Sequence, residues 1–525
     1  MNADLPNDIA ALQALIVAER AAHAAERAGD AARILALQRE RDLANEKLRA
    51  LIKRYFGRSS EKLDPNQLAL AWAAVEADQA VTPPPPPEKT EPPARAPRTS
   101  SVRRAQRLED LPILETVTID LPEAEKVGPD GVRLVKIREE ITEEVDYQPG
   151  KLLRRQIIRL VYASPAHVCP PRTAELPARV IPGGQVGPGL IAHVLLSKYA
   201  DAIPIYRQAA MLERLGPGFT RQAMGQWVEH GAGLFRPVHQ ELQEAVQKAS
   251  YVQGDETPHA VLDPARPGAA RDAWLWTFLA PAEKVVIFDF QMTRSHAPAL
   301  AFLRGYQGVF QTDGYSGYIK ALRELPEERR KGIVHANCMA HCRRGFVAAL
   351  ESGDDRAAPF LAYLGAIYQI EAELRPVTAE ERASARGSRS LAWLVPMELA
   401  LKKAQADPSI LPKSLLSKAV KYALERWPEL IQYAQAGYGH LHIDSNAVER
   451  CIRPSAVAKK NFLFVGHPSA GWRSAVLYSI LGTCQLQQIN PWNYLTWALP
   501  LLAGATNKTA RQFTPQAYAL AQPRS

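Results

Sequence analysis

From about Asp8 to Phe56 apolar residues recur at helical intervals in a stretch rich in Ala, Leu, Glu and Arg and free of Pro. The pattern predicts one long helix, or two joined near Gly29. Within it Ile34, Leu37, Ala44, Leu48, Leu51 and Tyr55 keep a three-four spacing that Arg41 interrupts. That stripe fits either a short coiled-coil seam or the inner face of a helix packed on its own domain. A basic turn follows over Arg54–Leu63, with helix-start residues at Ser59 and Ser60 and a second helix expected from Pro65 to Asp78. The run Pro83–Pro87, with Pro92, Pro93 and Pro97, suits neither helix nor sheet and predicts a stiff, extended linker.

Beyond the linker the period changes. Alternation over Glu115–Asp120 and Arg155–Tyr162 predicts short strands of a small sheet within residues 112 to 180. Helical patterns return from Gly189 to about Lys248, with a turn at Gly216-Pro217-Gly218 and a helix start at Thr220. A helix, a Gly-containing turn and a helix bearing Arg221 and Trp227 fit a helix-turn-helix that reads DNA, and equally any packed helix pair. Strands are then expected at Tyr251–Asp255, Ala273–Phe278, Val285–Asp289 and Gly308–Asp313, with a helix around His296 to Gly305 before the fourth. Three strands in succession, a helix and a fourth strand match the order of an RNase H-like sheet. Residues 346 to 435 read as mostly helical.

In such a sheet the first and fourth strands are neighbours, so Asp255 and Asp313 at their ends would meet on one rim. Asp444 or Ser445 can cap a late helix that carries Glu449 one turn inside. Three clustered carboxylates suit a pair of magnesium ions, the arrangement that phosphodiester cleavage and transfer use. Glu256 adjoins Asp255, and successive strand residues face opposite ways, so strand geometry leaves open which of the two joins the site.

Composition narrows the partners. The 525 residues exceed one hydrophobic core, which implies several modules, and 46% hydrophobic with 23% charged residues excludes a mainly disordered chain. Lys and Arg outnumber Asp and Glu by 64 to 55, a net charge of +9 that favours a polyanionic partner. Five cysteines (169, 338, 342, 451, 484) show no framework spacing, so no disulfides are expected and a reducing cytoplasm fits. No export signal or membrane span is expected, and the apolar segment Trp497–Ala505 is too short to cross a bilayer.

Five stretches in order carry a resemblance: Arg54–Leu63; Ile181–Gly184 leading to Ser197–Asp201 and Pro204–Arg207; Asp255-Glu256-Thr257; Thr312-Asp313-Gly314-Tyr315; and Asn446–Arg450 with Ile452-Arg453-Pro454. Over nearly its whole length the chain resembles the insertion-sequence sixty-six family of bacterial transposases. The resemblance places the three catalytic and metal-holding acids on Asp255, Asp313 and Glu449, choosing Asp255 over Glu256. It implies two magnesium ions, for which manganese may substitute, and a helical insertion between Asp313 and Glu449. It also implies accessory proteins of the same element as partners.

The expected organisation is a multidomain α/β chain. An N-terminal helical module spans 1–80, a Pro-rich linker 81–104, a small β-rich module 105–180 and a helix-turn-helix-like module 181–249. The RNase H-like core takes 250–345 and 436–480, the helical insertion 346–435 and a C-terminal tail 481–525. Arg450, Arg453, Lys459 and Lys460, with Arg58, Lys62, Lys198, Arg207 and Arg221, are the candidate DNA contacts, and cations near the acids would position the backbone without reading sequence. Cys338, His341 and Cys342 look like a zinc half-site, but no second pair completes it, and helix packing beneath the site is the expectation. Many family members carry two Cys pairs near residues 127 to 170, where this chain has only Cys169, so a structural zinc is not supported.

The function expected is cleavage and strand transfer of double-stranded DNA at the element's terminal repeats, by a homodimer or larger assembly in the nucleoid-associated cytoplasm. Two other readings fit the same residues: an inactive DNA-end-binding protein of a decayed element, or an RNase H-like nuclease without strand transfer.

Overall fold

A computed structural model of the chain describes residues 9–56, 150–162, 172–173, 175, 178–216 and 218–521. The helix expected over Pro65–Asp78, the Pro-rich linker, the strand at Glu115–Asp120, and Arg58, Lys62 and Cys169 lie outside these residues. Met1–Pro84 and Arg155–Ser525 form one compact unit, and Pro85–Arg154 a second, whose described residues 150–154 have no regular structure.

Helix α1 runs unbroken from Ile9 to Phe56, passing through Gly29. Ile34 and Leu37 of its apolar stripe are exposed. Near its end Arg49 Nη1 donates to Ser352 O (3.0 Å), and Glu46 Oε1 accepts from Leu415 N (2.6 Å). Of the strand expected over Arg155–Tyr162 only β1, Val161–Tyr162, forms, paired antiparallel with β2, Arg172–Thr173. Ile157, Ile158 and Leu160 are exposed. The alternation there finds no longer partner strand among the described residues, and an unpaired strand is not stable by itself.

Four helices follow: α2 (Pro188–Tyr199), α3 (Ile205–Glu213), α4 (Arg221–Leu234) and α5 (Arg236–Gln247). Thr220 starts α4 as expected, its hydroxyl accepting from Ala223 N (3.2 Å). Trp227 is buried and meets Phe219 edge to face, which makes it a core residue of this module.

Next come β3 (Tyr251–Leu262), β4 (Ala270–Ala280), β5 (Val285–Gln291), α6 (Ala297–Leu303), β6 (Gly308–Thr312), α7 (Ser316–Glu324) and β7 (Ile333–Asn337). The sheet order is β5-β4-β3-β6-β7. The first three strands are antiparallel, and β6 joins β3 and β7 in parallel. Strand β3 runs seven residues past the predicted end, through Pro258. Beside β3, β6 pairs only with residues 251 to 253, so Pro258 lies where that side is open and a missing N–H breaks no ladder. The β7 strand was not anticipated: Ile333–Asn337 is short and carries His335 and Asn337, too little for a period to register.

The chain then becomes helical: α8 (Met339–Glu351), α9 (Ala358–Glu373), α10 (Ala379–Ala385), α11 (Leu391–Ala406), α12 (Leu415–Glu425), α13 (Asn446–Phe462), α14 (Gly471–Leu486), α15 (Pro491–Leu502) and α16 (Pro515–Ala521). Helices α8, α9, α11 and α12 share a core with the sheet in which Phe346 stacks on Phe360 and Tyr251 and Val309 take part. Helix α14 lies along edge strand β5, where Ser479 Oγ accepts from Phe288 N (2.8 Å) and Thr483 Oγ1 from Val286 N (3.3 Å). Those hydroxyls satisfy edge N–H groups that would otherwise invite another strand. Among the described residues no helix is long and apolar enough to cross a membrane.

Candidate active site

Parallel pairing sets Gln253 of β3 level with Gln311 of β6. Two residues further along, each strand reaches an aspartate, Asp255 on one and Asp313 just past the end of the other. The carboxylates therefore stand where the two strands part, the kind of crevice in which sheets of this sort place ligands. Asp313 is fixed by its own turn: Oδ1 accepts from Tyr315 N (2.8 Å). Gly314 has φ +82°, and a Cβ there would lie 2.5 Å from Arg426 Nε, so this position requires glycine. From α12 and the residue after it, Tyr422 Oη donates to Asp313 O (2.6 Å) and Arg426 Nη2 to Gly314 O (3.1 Å).

Glu256 takes separate partners. Arg294 donates to its Oε1 at 2.6 and 2.9 Å, and Tyr318 Oη donates to Oε2 at 2.6 Å. The Arg294 guanidinium lies over the rings of Tyr315 and Trp274 (3.9 and 4.7 Å to the centroids). Glu256, its own side chain buried, is thereby committed to a half-exposed Arg294, which leaves Asp255 as the acid of this pair that is free of such a clamp.

The third acid arrives on α13, whose entry is bound to the same two strands. Gln253 Nε2 donates to Asp444 O (3.0 Å) and its Oε1 accepts from Val448 N (3.2 Å). Gln311 Nε2 donates to His442 O (2.9 Å), and Tyr251 Oη donates to Gln311 Oε1 (2.5 Å). Asp444 makes the cap, its Oδ1 accepting from Asn446 N (3.1 Å), while Ser445 makes no side-chain cap bond. Tyr251, Gln253 and Gln311 are buried, so this hub is a low-dielectric junction in which each polar partner matters.

Burial raises the Asp255 carboxyl well above the usual aspartate range, and the charges of Asp313, Glu256 and Glu449 raise it further. Glu449 itself is clamped: Arg344 Nη2 donates to both its oxygens (2.9 and 2.8 Å), and His341 Nδ1 is 3.9 Å away. Among the described residues no three Asp, Glu, His or Cys side chains stand together in a ready ion-holding group. Chemically the acids still fit a divalent cation: three hard-oxygen carboxylates whose charges disfavour ionisation at Asp255. The motif Cys338–Arg344 thus brings Arg344 and His341 to Glu449, a placement that the zinc-like spacing concealed. The signal was present in the three-residue step between them, which puts both on one face of a helix. Cys338 and Cys342 are free, buried thiols.

The other named cations divide. Arg450, Arg453 and Lys460 are exposed on α13. Lys459 instead donates to Pro258 O (3.1 Å), bound to β3. Lys198 lies over the Phe462 ring (4.1 Å), and burial lowers its ammonium to about 8, so it serves as a packing contact between α2 and the end of α13. Arg207 and Arg221 are exposed and gather at Tyr206, one donating to its Oη (3.0 Å) and the other 5.8 Å from its ring centroid.

Comparisons with known proteins identify the family. A family model described as "Transposase IS66 family" matches residues 183–473, which includes all three acids. A second, "Transposase C of IS166 homeodomain", matches residues 44–115. Two proteins of Sinorhizobium fredii are similar along much of their length. "Uncharacterized protein y4qI" is 30% identical over 527 residues, covering 95% of each chain. "Uncharacterized protein y4jD" is 32% identical over 382 residues, 71% of this chain and 74% of the other. No solved structure matches. On the extent of the family match and the full-length relative, the chain belongs to the IS66 family of transposases.

Proposed function

We propose that this transposase cuts and joins DNA at a site formed by Asp255, Asp313 and Glu449 on an RNase H-like core. The strand order, with the first and fourth strands adjacent, supports that core. The observation that carries the reading is the level pairing of Gln253 with Gln311, two residues before each aspartate, which supports a shared rim for Asp255 and Asp313. The effect of Glu449 on the Asp255 carboxyl supports its place as the third acid.

Two magnesium ions, or manganese in their place, would be held by these carboxylates and would supply activation of the attacking oxygen and charge neutralisation at the leaving oxygen. Asp255 and Asp313 provide fixed strand-end oxygens, and Glu449 provides a third from a helix tied to both strands. Water attacks phosphorus, the 3′-oxygen leaves and takes a proton, and the freed 3′-hydroxyl then exchanges one P–O bond for another in target DNA. Exposed Arg450, Arg453 and Lys460 would hold phosphates, and the Arg207, Arg221 and Tyr206 cluster is a second candidate contact on the helix-turn-helix-like module. Action on both element ends calls for a dimer or larger assembly, for which the face of α1 bearing exposed Ile34 and Leu37 is a candidate seam, with accessory proteins of the element as further partners.

The test is cleavage and transfer of labelled element-end duplex with magnesium, comparing the full chain with Asp255→Ala, Asp313→Ala and Glu449→Ala. Joined product lost in every variant is expected. A variant that keeps full activity removes its residue from the site.

A further inference from the structure

Helix α13 does not stop on glycine. Leu463, the residue after its last turn, takes φ +66° and ψ −47°, and Phe464 N donates across it to Phe462 O (2.8 Å). A three-residue turn with positive φ at its centre is rare, and it strains any residue that carries a Cβ. The strain is held from several sides. Asn461 Nδ2 donates to Ala202 O (3.0 Å), and Lys198 lies over the Phe462 ring (4.1 Å). Val465 N donates to Ala260 O (2.8 Å), and Val465 O accepts from Leu262 N (2.9 Å), which ties the exit of the turn to β3. None of this bonding buries the side chains at the tip: Leu463 is 67% exposed and Phe464 45%. Two large apolar groups thus face solvent on a fixed and strained backbone, where a glycine followed by a polar residue would cost less.

The charge leading to the tip points to its partner. Along α13, Glu449, Arg453, Val457 and Lys460 recur at helical intervals, which places them in one stripe that ends at the turn. Arg453, Val457 and Lys460 are exposed. Cations that run up to an apolar tip match duplex DNA, whose phosphates take the charges and whose stacked bases admit an apolar side chain between them. At about 1.5 Å per residue, α13 rises roughly 21 Å from Glu449 to Leu463. That is about six base steps of about 3.4 Å each.

We propose that Leu463 and Phe464 form a rigid wedge that enters the base stack of the element-end duplex, about six base pairs from the phosphate under attack, while Arg453 and Lys460 hold the backbone between. The six-step register rests on the proposed place of Glu449 among the acids; the insertion itself does not.

The test binds the full chain to element-end duplexes that carry 2-aminopurine at successive positions, without metal so that no strand is cut. The cut position is mapped separately with magnesium. Unstacking should brighten the probe severalfold at one or two neighbouring positions, about five to seven bases from the cut. Leu463→Gly combined with Phe464→Ser removes the wedge and relieves the turn, so this variant should melt no lower than wild type and lose the brightening at saturating protein. Phe464→Leu keeps an apolar tip and should keep the signal. No brightened position in wild type, or brightening retained by the double variant, overturns the inference. A changed assembly state of the DNA-free double variant, read by sedimentation, also overturns it, because the pair would then be a protein contact. If Glu449→Ala cuts normally, the three-acid site falls with the register, and a peak lost in the double variant still sustains the wedge.

Discussion

Replacing Gln253 by Leu tests whether the amide hub, and not apolar packing, seats α13 on the sheet. Leu nearly fills the volume of Gln, so the change removes hydrogen bonds with little loss of packing. Gln253 has no exposed surface, and its side chain serves Tyr251 Oη (2.8 Å), Gln311 Oε1 (2.9 Å), Asp444 O and Val448 N. In the variant Val448 N–H and Asp444 C=O lose their side-chain partner, and each orphaned buried group costs about 1–3 kcal/mol. The expected destabilisation is about 2–5 kcal/mol, toward the upper end if the hub is cooperative. Urea unfolding reads the total, and amide exchange reads the location, with faster exchange at Val448 and Glu449 than along β4. Gln311→Leu touches the same hub, so the double variant should lose less than the two single losses added, by about 0.5–3 kcal/mol. A loss under about 0.5 kcal/mol, typical of an ordinary surface change, with unaltered exchange at α13, would refute the hub.

Two further outcomes follow from buried charge. Arg386 is 1% exposed, pairs with Glu371 through both guanidinium ends (2.8 and 2.6 Å) and donates to Tyr433 O and Leu441 O. Arg386→Met strands Glu371 and should cost about 3–5 kcal/mol in chemical denaturation, most of it recovered by adding Glu371→Gln; a loss below 1 kcal/mol contradicts this. Asp255 has its folded pKa above the unfolded value near 3.8, so folding favours its protonated form. Wild type therefore loses stability as pH rises from that unfolded value through the raised folded one. Without metal, Asp255→Asn should melt higher than wild type, by a margin that widens across that window; a margin equal at both ends sinks the account.

The strand order beneath the candidate site was legible because it depends on local order. Alternating runs ending in Asp255 and Asp313, with a helix before the second, are enough to make the strands neighbours. The face of Glu256 could not be read from alternation alone, since either acid could have pointed to the crevice. In the structure Glu256 is paired with Arg294. Arg344 escaped notice because its partner is 105 residues away, and the nearby cysteines offered a more familiar pattern. The strand expected at Arg155–Tyr162 failed for a related reason: alternation states what a segment can pair as, and the partner must be present for it to do so.

The bracing of the Asp313 turn from α12 also has a mechanical side. Tyr422 and Arg426 grip Asp313 and Gly314 from one end of that helix, and at the other end Leu415 N is held by Glu46 of α1. Packed helices move as rigid rods, because close-packed interiors transmit displacement with little give. A shift imposed on the N-terminal helix at Glu46 thus has a rod one helix long by which to reach the second aspartate. In the proposed site, which must hold carboxylates to within a fraction of an ångström, that linkage makes the N-terminal helix a handle on the chemistry.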